Sequence, residues 1–302
     1  MKIRVGSRES ALAVAQARLL MTYLESRGIE TELVTMKTTG DMILDRTLDK
    51  IGGKGLFVKE LDRALLDGAA DLTIHSFKDM PMQLDDKLPL VAVSEREDPR
   101  DALVFAPGVT ELDLSKPIGC SSARRTLQLK RIFPGVRVEP LRGNVLTRLN
   151  RLDGGEYSAI VLAAAGLKRL GLEGRISSLF DPAEMIPAAC QGILAVQSRQ
   201  GFDPGILEGF NCRLAWDASA AERAFVTELD GGCSSPIAAF AEIDGDNVRL
   251  TGLYVDGSGA AHIGKITRGR KNAELAGKEL AAKLRGRTPG AETPDAAKGE
   301  RI

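Results

Sequence analysis

A lysine and a carboxylate stand side by side in the segment from His75 to Pro81, which directly follows a predicted strand. A carboxylate in a crevice loop can move protons or stabilise a cation, and Asp79, next to Lys78, is suited to either role. An aspartate that only forms a turn before Pro81 would give the same pattern. The segment is therefore a candidate catalytic loop, with a structural turn as the alternative.

A thiol in a glycine-rich segment is the second candidate for chemistry. Cys233 follows Gly231 and Gly232 and precedes two serines. Glycines let the backbone approach a bulky group closely, and such a loop also suits a reactive sulfur. The chain has only two histidines, and neither lies near Cys233 in sequence to act as its base. A chemically inert cysteine is therefore the alternative.

The remaining cysteines give no sign of a metal site. No two of the four cysteines form a CxxC pair, and with two histidines in the chain we expect neither a structural zinc site nor a disulfide framework.

The segment Gly52-Gly53-Lys54-Gly55 fails the P-loop pattern, which needs a glycine in place of Leu48 and a Ser or Thr in place of Gly55. We expect it instead to be a flexible loop over the crevice.

Basic residues repeatedly follow predicted strands. Residues 120–175 contain eleven Lys and Arg against four Asp and Glu, so this stretch carries +7 and the rest of the neutral chain −7. The carboxyl ends of parallel strands line the ligand crevice, and helix N-termini there favour anions. The planar fork of arginine suits carboxylates or phosphates, so we expect a basic crevice, with a solvated basic face as the alternative. The arginines concerned are Arg8, Arg124, Arg125, Arg142, Arg148 and Arg169.

Alternating strand and helix patterns, which must position these residues, make up the first two thirds of the chain. Short β-branched runs predict strands at 2–5, 31–38, 71–75, 88–93, 118–120, 136–141, 159–163 and 193–197. Amphipathic patterns predict helices at 10–26, with Ser10 as the cap, and at 56–66, 122–133, 145–152 and 167–170. The alternation predicts parallel sheets covered on both faces, and the charged stretch 95–101 indicates a crossing between two domains.

The last third of the chain changes character. A predicted helix at 219–229 leads to the cysteine segment, and strands are predicted at 237–243, 248–255 and 261–267. Asp-Gly turn signals separate these strands, which predicts antiparallel hairpins. A helix at 273–284 completes an α+β domain, and the Pro-, Gly- and Ala-rich residues after it predict a frayed tail.

Composition excludes several classes of protein. A length of 302 residues favours two domains or three small ones, and 43% hydrophobic residues exclude a disordered chain. Only 4% aromatic residues and zero net charge argue against nucleic-acid and membrane-surface partners. No stretch of about 18 apolar residues predicts a membrane span, and the N-terminus has no pattern of a secretory leader, so we expect a cytoplasmic protein.

Taken together, these segments resemble the porphobilinogen deaminases (hydroxymethylbilane synthases) of tetrapyrrole biosynthesis. The similarity extends from the Gly6-Ser7-Arg8 turn to the last helix, and it rests on the order and spacing of 52–61, 75–81, 96–101, 141–144 and 231–233. It implies two α/β lobes like those of periplasmic solute-binding proteins, joined by a hinge, and a small α+β C-terminal domain. The implied limits are 1–95 with 193–212 for lobe 1, 100–188 for lobe 2, 215–286 for the C-terminal domain and 287–302 for a flexible tail, with crossings near 95–101 and 187–193.

The resemblance also implies a reaction and a cofactor. The reaction is the stepwise condensation of four porphobilinogen molecules to hydroxymethylbilane with release of ammonia, primed by a dipyrromethane cofactor held by a thioether to Cys233. Asp79 is implied as the catalytic residue, in contact with the pyrrole N–H groups, either stabilising a cation or moving protons. The implied cofactor-binding residues are Ser76, Lys78, Asp79, Ser121, Arg124, Arg125, Gln191 and Cys233. The implied substrate-binding residues are Arg8, Asp41, Lys54, Phe57, Arg142, Arg148 and Arg169. No metal, nucleic acid or membrane is implied, and the family is expected to be monomeric.

Two functions from other classes compete with this interpretation. A two-lobed binding protein for a polycarboxylate or another anionic ligand would explain the basic crevice, but it predicts a secretory leader and needs no third domain with an exposed thiol. A thiol enzyme that uses Cys233 as an acyl-transfer nucleophile would need a base within reach. We therefore expect a transferase with a basic crevice.

Overall fold

Two five-stranded sheets and one three-stranded sheet organise the chain. The computed structural model describes residues 2–38, 40, 58–231 and 235–286. The strands are β1 (Lys2–Arg8), β2 (Glu30–Met36), β3 (Leu72–Ser76), β4 (Leu90–Val93), β5 (Asp101–Val104), β6 (Ile118–Gly119), β7 (Val138–Glu139), β8 (Ala159–Ala163), β9 (Ser178–Leu179), β10 (Leu194–Ser198), β11 (Ala238–Asp244), β12 (Asn247–Val255) and β13 (Ala261–Gly269). The α-helices are α1 (Ala11–Ser26), α2 (Lys59–Leu66), α3 (Ala123–Ile132), α4 (Val145–Asp153), α5 (Ala164–Arg169), α6 (Arg213–Glu228) and α7 (Ala273–Arg285).

The two five-stranded sheets share one topology, which gives the predicted two α/β lobes. Lobe 1 has the strand order β2-β1-β3-β10-β4 and lobe 2 the order β7-β6-β8-β5-β9. Three neighbouring strands are parallel in each sheet, whereas β10 and β5 run antiparallel to their neighbours.

The prediction of parallel sheets is wrong for the strands that follow the chain crossings. Asp101, the first residue of β5, pairs with Ala163, the last residue of β8, and Leu194 of β10 likewise pairs with Ser76 at the end of β3. Each crossing therefore enters its new sheet at the carboxyl ends of the parallel strands. A strand that begins at that edge can only run back in the opposite direction.

Alternate residues of lobe 2 fill two separate cores. Ile160 and Leu162 of β8 pack on one face of the sheet, and Val161 between them packs on the other. This period of two is that of a strand buried on both sides, so the prediction of a sheet covered on both faces is confirmed. In lobe 1, Ser10 caps α1 as predicted, because its side chain accepts a hydrogen bond from the backbone N–H of Ala13.

The C-terminal domain is an antiparallel meander covered by two helices. Its strand order is β11-β12-β13, and α6 and α7 pack on one side around the buried Phe225 and Leu280. The predicted hairpins are confirmed by the antiparallel pairing of these strands. Helix α6 begins at Arg213, six residues before the predicted start at 219, and it ends just before the cysteine segment.

The two chain crossings lie against each other and form the hinge between the lobes. The backbone N–H of Glu97 donates to the carbonyl of Gly192 at 3.1 Å. Gly192 has a φ of +91°, and a Cβ built on it would lie 2.2 Å from the carbonyl oxygen of Glu97. Only glycine therefore fits this close approach of the two crossings.

Gly192→Ala is expected to destabilise the protein more than the same substitution at a left-handed glycine with open space around it. The left-handed backbone costs an alanine about 1–2 kcal/mol, and the overlap with the crossing adds about 1–3 kcal/mol. Gly171→Ala is the matched control, since Gly171 has a φ of +66° but no heavy atom within 4 Å of its built Cβ. Urea unfolding of both variants measures the difference, and an equal loss of stability would show that the close approach does not matter.

Candidate active-site crevice

Two buried side chains anchor the loop that carries Asp79. After β3 the chain forms a single 3-10 turn, Phe77–Asp79. Phe77 and Met80 are buried, and the guanidinium of Arg223 lies 4.7 Å from the centre of the Phe77 ring. Asp79 lies between these anchors and is exposed. The loop therefore presents one carboxylate to solvent on a rigid base.

Ser76, at the end of β3, contributes a second polar group to this edge of lobe 1. Its Oγ accepts a hydrogen bond of 2.9 Å from Nε2 of the buried Gln16. A hydroxyl that accepts in this way keeps its own hydrogen for another acceptor. Ser76 is therefore suited to donate to an anion beside Asp79.

The first turn of α3 holds the predicted pair of arginines. Ser122 caps the helix, since its Oγ accepts from the backbone N–H of Arg125. Ser121 exchanges two hydrogen bonds with Leu141, one from its hydroxyl to the carbonyl at 2.8 Å and one from the amide of Leu141 at 2.9 Å. These bonds join the start of α3 to the Leu141–Asn144 segment, so two basic loops of lobe 2 lie next to each other.

Arg124 and Arg125 are almost fully buried and share the carboxylate of Asp101 at the start of β5. Arg124 Nη1 donates to Asp101 Oδ2 at 2.7 Å, and Arg125 donates to Oδ1 through Nε at 3.0 Å and Nη2 at 2.7 Å. Burial opposes ionisation of this carboxyl group, but the two guanidiniums hold the pKa of Asp101 well below its usual range. The first partner of both arginines is thus a protein carboxylate, which the sequence did not indicate.

Gln191 connects this cluster to the loop of Asp79 in lobe 1. Its Nε2 donates to Asp101 Oδ1 at 2.9 Å and to the carbonyl of Pro99 at 2.7 Å. Its Oε1 accepts a hydrogen bond of 3.3 Å from Nζ of Lys78. Burial lowers the pKa of Lys78 to about 8, although the negative charge of Asp79 opposes this shift. The ammonium group is therefore still charged at neutral pH.

Arg148 lies on α4 at the point where the charges of both lobes meet. Its Nε donates to the carbonyl of Gly143 at 2.8 Å. Burial lowers the pKa of Arg148 to about 10; the positive charges of Arg125 and Arg142 add to this effect, and the negative charge of Asp79 opposes it. The charge of Asp79 in lobe 1 therefore contributes to the electrostatic environment of the basic groups in lobe 2.

Two other predicted arginines stand at the ends of their elements, β1 and α5. Arg8 is the last residue of β1. Burial lowers the pKa of His75 to about 4, and the positive charge of Arg8 adds to this effect. Arg169 ends α5, is half-buried, and donates from Nη2 to the carbonyl of Gly192 in the hinge. Burial lowers the pKa of Arg169 to about 10, so its guanidinium stays charged at neutral pH.

Four predicted site residues lie outside the described part of the chain: Asp41, Lys54, Phe57 and Cys233. The residues next to the last of them are described. Helix α6 ends at Glu228, and a Cβ built on Gly231 would lie 2.5 Å from Cδ1 of Ile237. The chain thus enters the cysteine segment through a glycine that packs closely against the C-terminal domain.

Comparison with known proteins decides the family. The family model described as "Porphobilinogen deaminase, dipyromethane cofactor binding domain" matches residues 3–205, and the model of the porphobilinogen deaminase C-terminal domain matches residues 216–286. This chain belongs to the porphobilinogen deaminase family. Porphobilinogen deaminases of Acetivibrio thermocellus and Alkaliphilus oremlandii are each 60% identical to it, over 94% of this chain and 98% of the first relative, and over 95% and 97% for the second.

Solved structures of solute-binding proteins resemble this chain at low identity. The methionine-binding protein MetQ has a TM-score of 0.44 at 17% identity and covers 72% of this chain and 90% of its own. The aliphatic sulphonate binding protein SsuA from Escherichia coli has a TM-score of 0.40 at 13% identity and covers 76% of this chain and 70% of its own.

Members of the porphobilinogen deaminase family are transferases, hydroxymethylbilane synthases, and the predicted family, enzyme class and dipyrromethane cofactor are confirmed. The residues present fit such a cofactor, because Lys78, Arg124 and Arg125 bring three cationic groups from both lobes into one connected cluster. Within residues 2–38, 58–231 and 235–286, no cluster of His, Cys, Asp and Glu could hold a metal ion, and no helix is long and apolar enough to cross a membrane.

Proposed function

We propose that this chain condenses four porphobilinogen molecules stepwise to hydroxymethylbilane, with Asp79 as the catalytic carboxylate and Cys233 as the attachment point of the dipyrromethane cofactor. The observation that carries the proposal is a hydrogen-bonded cluster that spans both lobes: Gln191 and Asp101 connect Lys78, the neighbour of Asp79 in lobe 1, to Arg124 and Arg125 of lobe 2. The exposed carboxylate of Asp79 thus lies next in sequence to a cluster of cationic groups drawn from both lobes. This arrangement suits a substrate that is a polycarboxylate and becomes a cation at its reacting carbon.

Asp79 supplies the negative charge at the reacting centre. Loss of ammonia from porphobilinogen leaves a cationic methylene-pyrrolenine, which the free α-carbon of the growing chain attacks. A fixed carboxylate stabilises such a cation, and the buried anchors Phe77 and Met80 fix the loop before the reaction begins. The same carboxylate can accept hydrogen bonds from pyrrole N–H groups.

The basic residues hold the carboxylates of substrate and product. Each pyrrole unit carries an acetate and a propionate, so the bound chain gains two negative charges with every addition. Guanidiniums bind carboxylates through two parallel hydrogen bonds, which also fixes the orientation of each ring. We assign this role to Arg8, Arg142, Arg148 and Arg169, and we propose Asp41, Lys54 and Phe57 as further substrate-binding residues by their place in the family pattern.

The dipyrromethane cofactor would be held by Lys78, Arg124, Arg125 and Gln191, with Ser76 and Ser121 beside them. The bound cofactor supplies a free pyrrole α-carbon, from which the chain grows. Ser121 already uses its hydroxyl for Leu141, so we expect it to contribute its backbone N–H instead. The described residues thus orient the carboxylates of the cofactor, while the thiol of Cys233 retains it.

Arg148→Gln is expected to raise the KM for porphobilinogen about 10- to 100-fold, since a lost charge-assisted hydrogen bond costs about 1.5–3 kcal/mol. Initial rates of ammonia release and of hydroxymethylbilane formation measure this change. Arg151→Gln is the matched control on the same helix, because Arg151 pairs with Glu156 and Tyr157 at the surface instead of the crevice. Equal effects of the two substitutions would contradict the assignment of Arg148. Wild-type protein that releases no ammonia from porphobilinogen would contradict the proposed function itself.

Three further predictions from the sequence belong to this proposal. We propose that the protein acts in the cytoplasm, that it is a monomer, and that the lobes and the C-terminal domain have the limits predicted from the sequence. Light scattering of the purified protein at the concentration used for kinetics tests the second point. A stable dimer would overturn it.

A further inference from the structure

Asp101 is a fully buried carboxylate at the junction of the hinge and lobe 2. It is the first residue of β5 and directly follows the first crossing. Oδ2 accepts from Arg124, and Oδ1 accepts from Arg125 and Gln191. Four donor nitrogens on three side chains therefore depend on this one carboxylate for their orientation.

Backbone carbonyls accept further hydrogen bonds from the same two guanidiniums. Arg125 Nη1 donates to the carbonyl of Val161 at 3.0 Å, and Arg124 Nη1 donates to the carbonyl of Ile186 at 2.7 Å. Each terminal nitrogen of an arginine carries two N–H groups. In these contacts Nη1 and Nη2 of Arg125 each use one, so each retains an N–H for a ligand carboxylate.

Charge explains why an acid is needed at this position. Two guanidiniums lie side by side in the first turn of α3, where the helix dipole adds further positive potential. Burial of such a pair without a counter-charge is strongly unfavourable. Asp101 neutralises one positive charge and leaves the pair with a net +1 for the ligand. Its depressed pKa keeps the carboxylate ionised throughout the neutral range.

The cluster also spans the two lobes. Gln191 accepts from Lys78 of lobe 1 with its carbonyl oxygen and donates to Asp101 of lobe 2 with its amide nitrogen. A hydrogen-bonded path therefore runs from the residue beside Asp79, through the second crossing, to the start of α3. The two halves of the cofactor pocket are held in register at the hinge.

We propose that Asp101 is a positioning residue of the cofactor pocket: its carboxylate orients Arg124 and Arg125 for the cofactor carboxylates, and through Gln191 it fixes them relative to Lys78 and Asp79. The inference rests on the proposed function. It adds a residue that touches neither cofactor nor substrate, yet sets the geometry of the groups that do.

The first test compares Asp101→Asn with Asp98→Asn. Asp98 belongs to the same crossing but pairs with Arg100 outside the cluster, so it is the matched control. Intact mass under denaturing and reducing conditions gives the fraction of protein that carries the covalent cofactor. We expect this fraction to fall at least threefold in Asp101→Asn and to stay at the wild-type level in Asp98→Asn. Loading of Asp101→Asn within 20% of wild type would overturn the proposal.

A double-mutant cycle separates positioning from general destabilisation. If Asp101 acts through Arg125, Asp101→Asn combined with Arg125→Lys should lower kcat/KM of the loaded protein no more than about twofold beyond the larger single effect. Losses that multiply would show that the two residues act independently, and the proposal would be wrong.

A third variant keeps the inference testable if Asp101→Asn does not fold. Gln191→Met removes the connection to Lys78 but leaves the contacts of Asp101 with both arginines. We expect kcat/KM to fall at least threefold, and a value within twofold of wild type would contradict the proposed register. If the wild-type protein is fully loaded with cofactor and active, a contradicting result overturns only the positioning role of Asp101. If the wild-type protein is unloaded and inactive, the proposed function itself is overturned.

Discussion

Asp79→Asn is expected to lower kcat about 10²- to 10³-fold, the loss seen when a preorganised electrostatic group is removed from a reacting centre. Asparagine keeps the size of the side chain and one acceptor oxygen, but it removes the charge that stabilises a cationic intermediate. The KM should change far less, because the substrate carboxylates bind to the guanidiniums of lobe 2. Steady-state rates at pH 7, where Lys78 is charged, separate the two parameters.

The stability of this variant should be close to that of wild type. Asp79 is exposed, and the loop is anchored by Phe77 and Met80 instead. Asp86→Asn is the control, since Asp86 is an exposed carboxylate of the same lobe, seven residues along the chain. If Asp79→Asn retained more than a tenth of the wild-type kcat, the carboxylate would not be the stabiliser of the cation, and the crevice would need another one.

A second feature of Asp79 connects it to the opposite lobe. Its negative charge raises the pKa of Arg148 and of Arg125, so it contributes to keeping both guanidiniums protonated. Burial already lowers the pKa of Arg148 to about 10. The Asp79 charge affects this pKa less than burial or the charge of Arg125 does, so its removal would lower the pKa only a little further. The loss of kcat is therefore not expected to come from deprotonation of Arg148.

Local patterns predicted most elements of the fold, because periodicity is a property of neighbouring residues. The buried strand β8 coincides with the predicted 159–163, and the cap at Ser10 was readable from one residue type at one position. Strand β5 was missed. It has four residues, begins with a charged one, and pairs with β8 and β9, which lie far from it in the sequence. A strand defined by such distant partners leaves no periodic signal of its own.

In the candidate site, too, features set by neighbouring residues were predicted and features set by distant residues were not. Arginines that follow strands predicted a basic crevice, since the topology of α/β sheets brings strand ends together. That Arg124 and Arg125 first bind a carboxylate of the protein could not be predicted, because Asp101 lies 23 and 24 residues away in the chain. The one available signal was an acidic residue next to an apolar run, and it was interpreted as part of the crossing between two domains.

Cys233→Ser is expected to abolish covalent cofactor loading and to lower activity by more than about 10²-fold, since a serine hydroxyl is a much weaker nucleophile than a thiol at neutral pH. The family model that matches residues 3–205 describes a dipyrromethane cofactor binding domain. In the sequence, Cys233 comes two residues after the close-packed Gly231, which follows α6. Intact mass under denaturing and reducing conditions should show the cofactor on wild type and the bare polypeptide in the variant, because a thioether survives reductants that would release a disulfide.

Cys212→Ser is the matched control for this experiment. Cys212 is a free, half-buried cysteine that precedes α6, so a serine there changes a thiol without touching the cysteine segment. We expect Cys212→Ser to carry the full cofactor mass. Cofactor mass retained in Cys233→Ser would mean that another side chain forms the bond. Cys120 and Cys190 are buried, and burial raises the pKa of Cys190 to about 12, which makes its thiol a poor nucleophile. The attachment is therefore expected at Cys233. Helix α6, which precedes Cys233 in the sequence, contacts the hinge through Glu222 and Arg96, and it contacts the loop of Asp79 through Arg223 and Phe77.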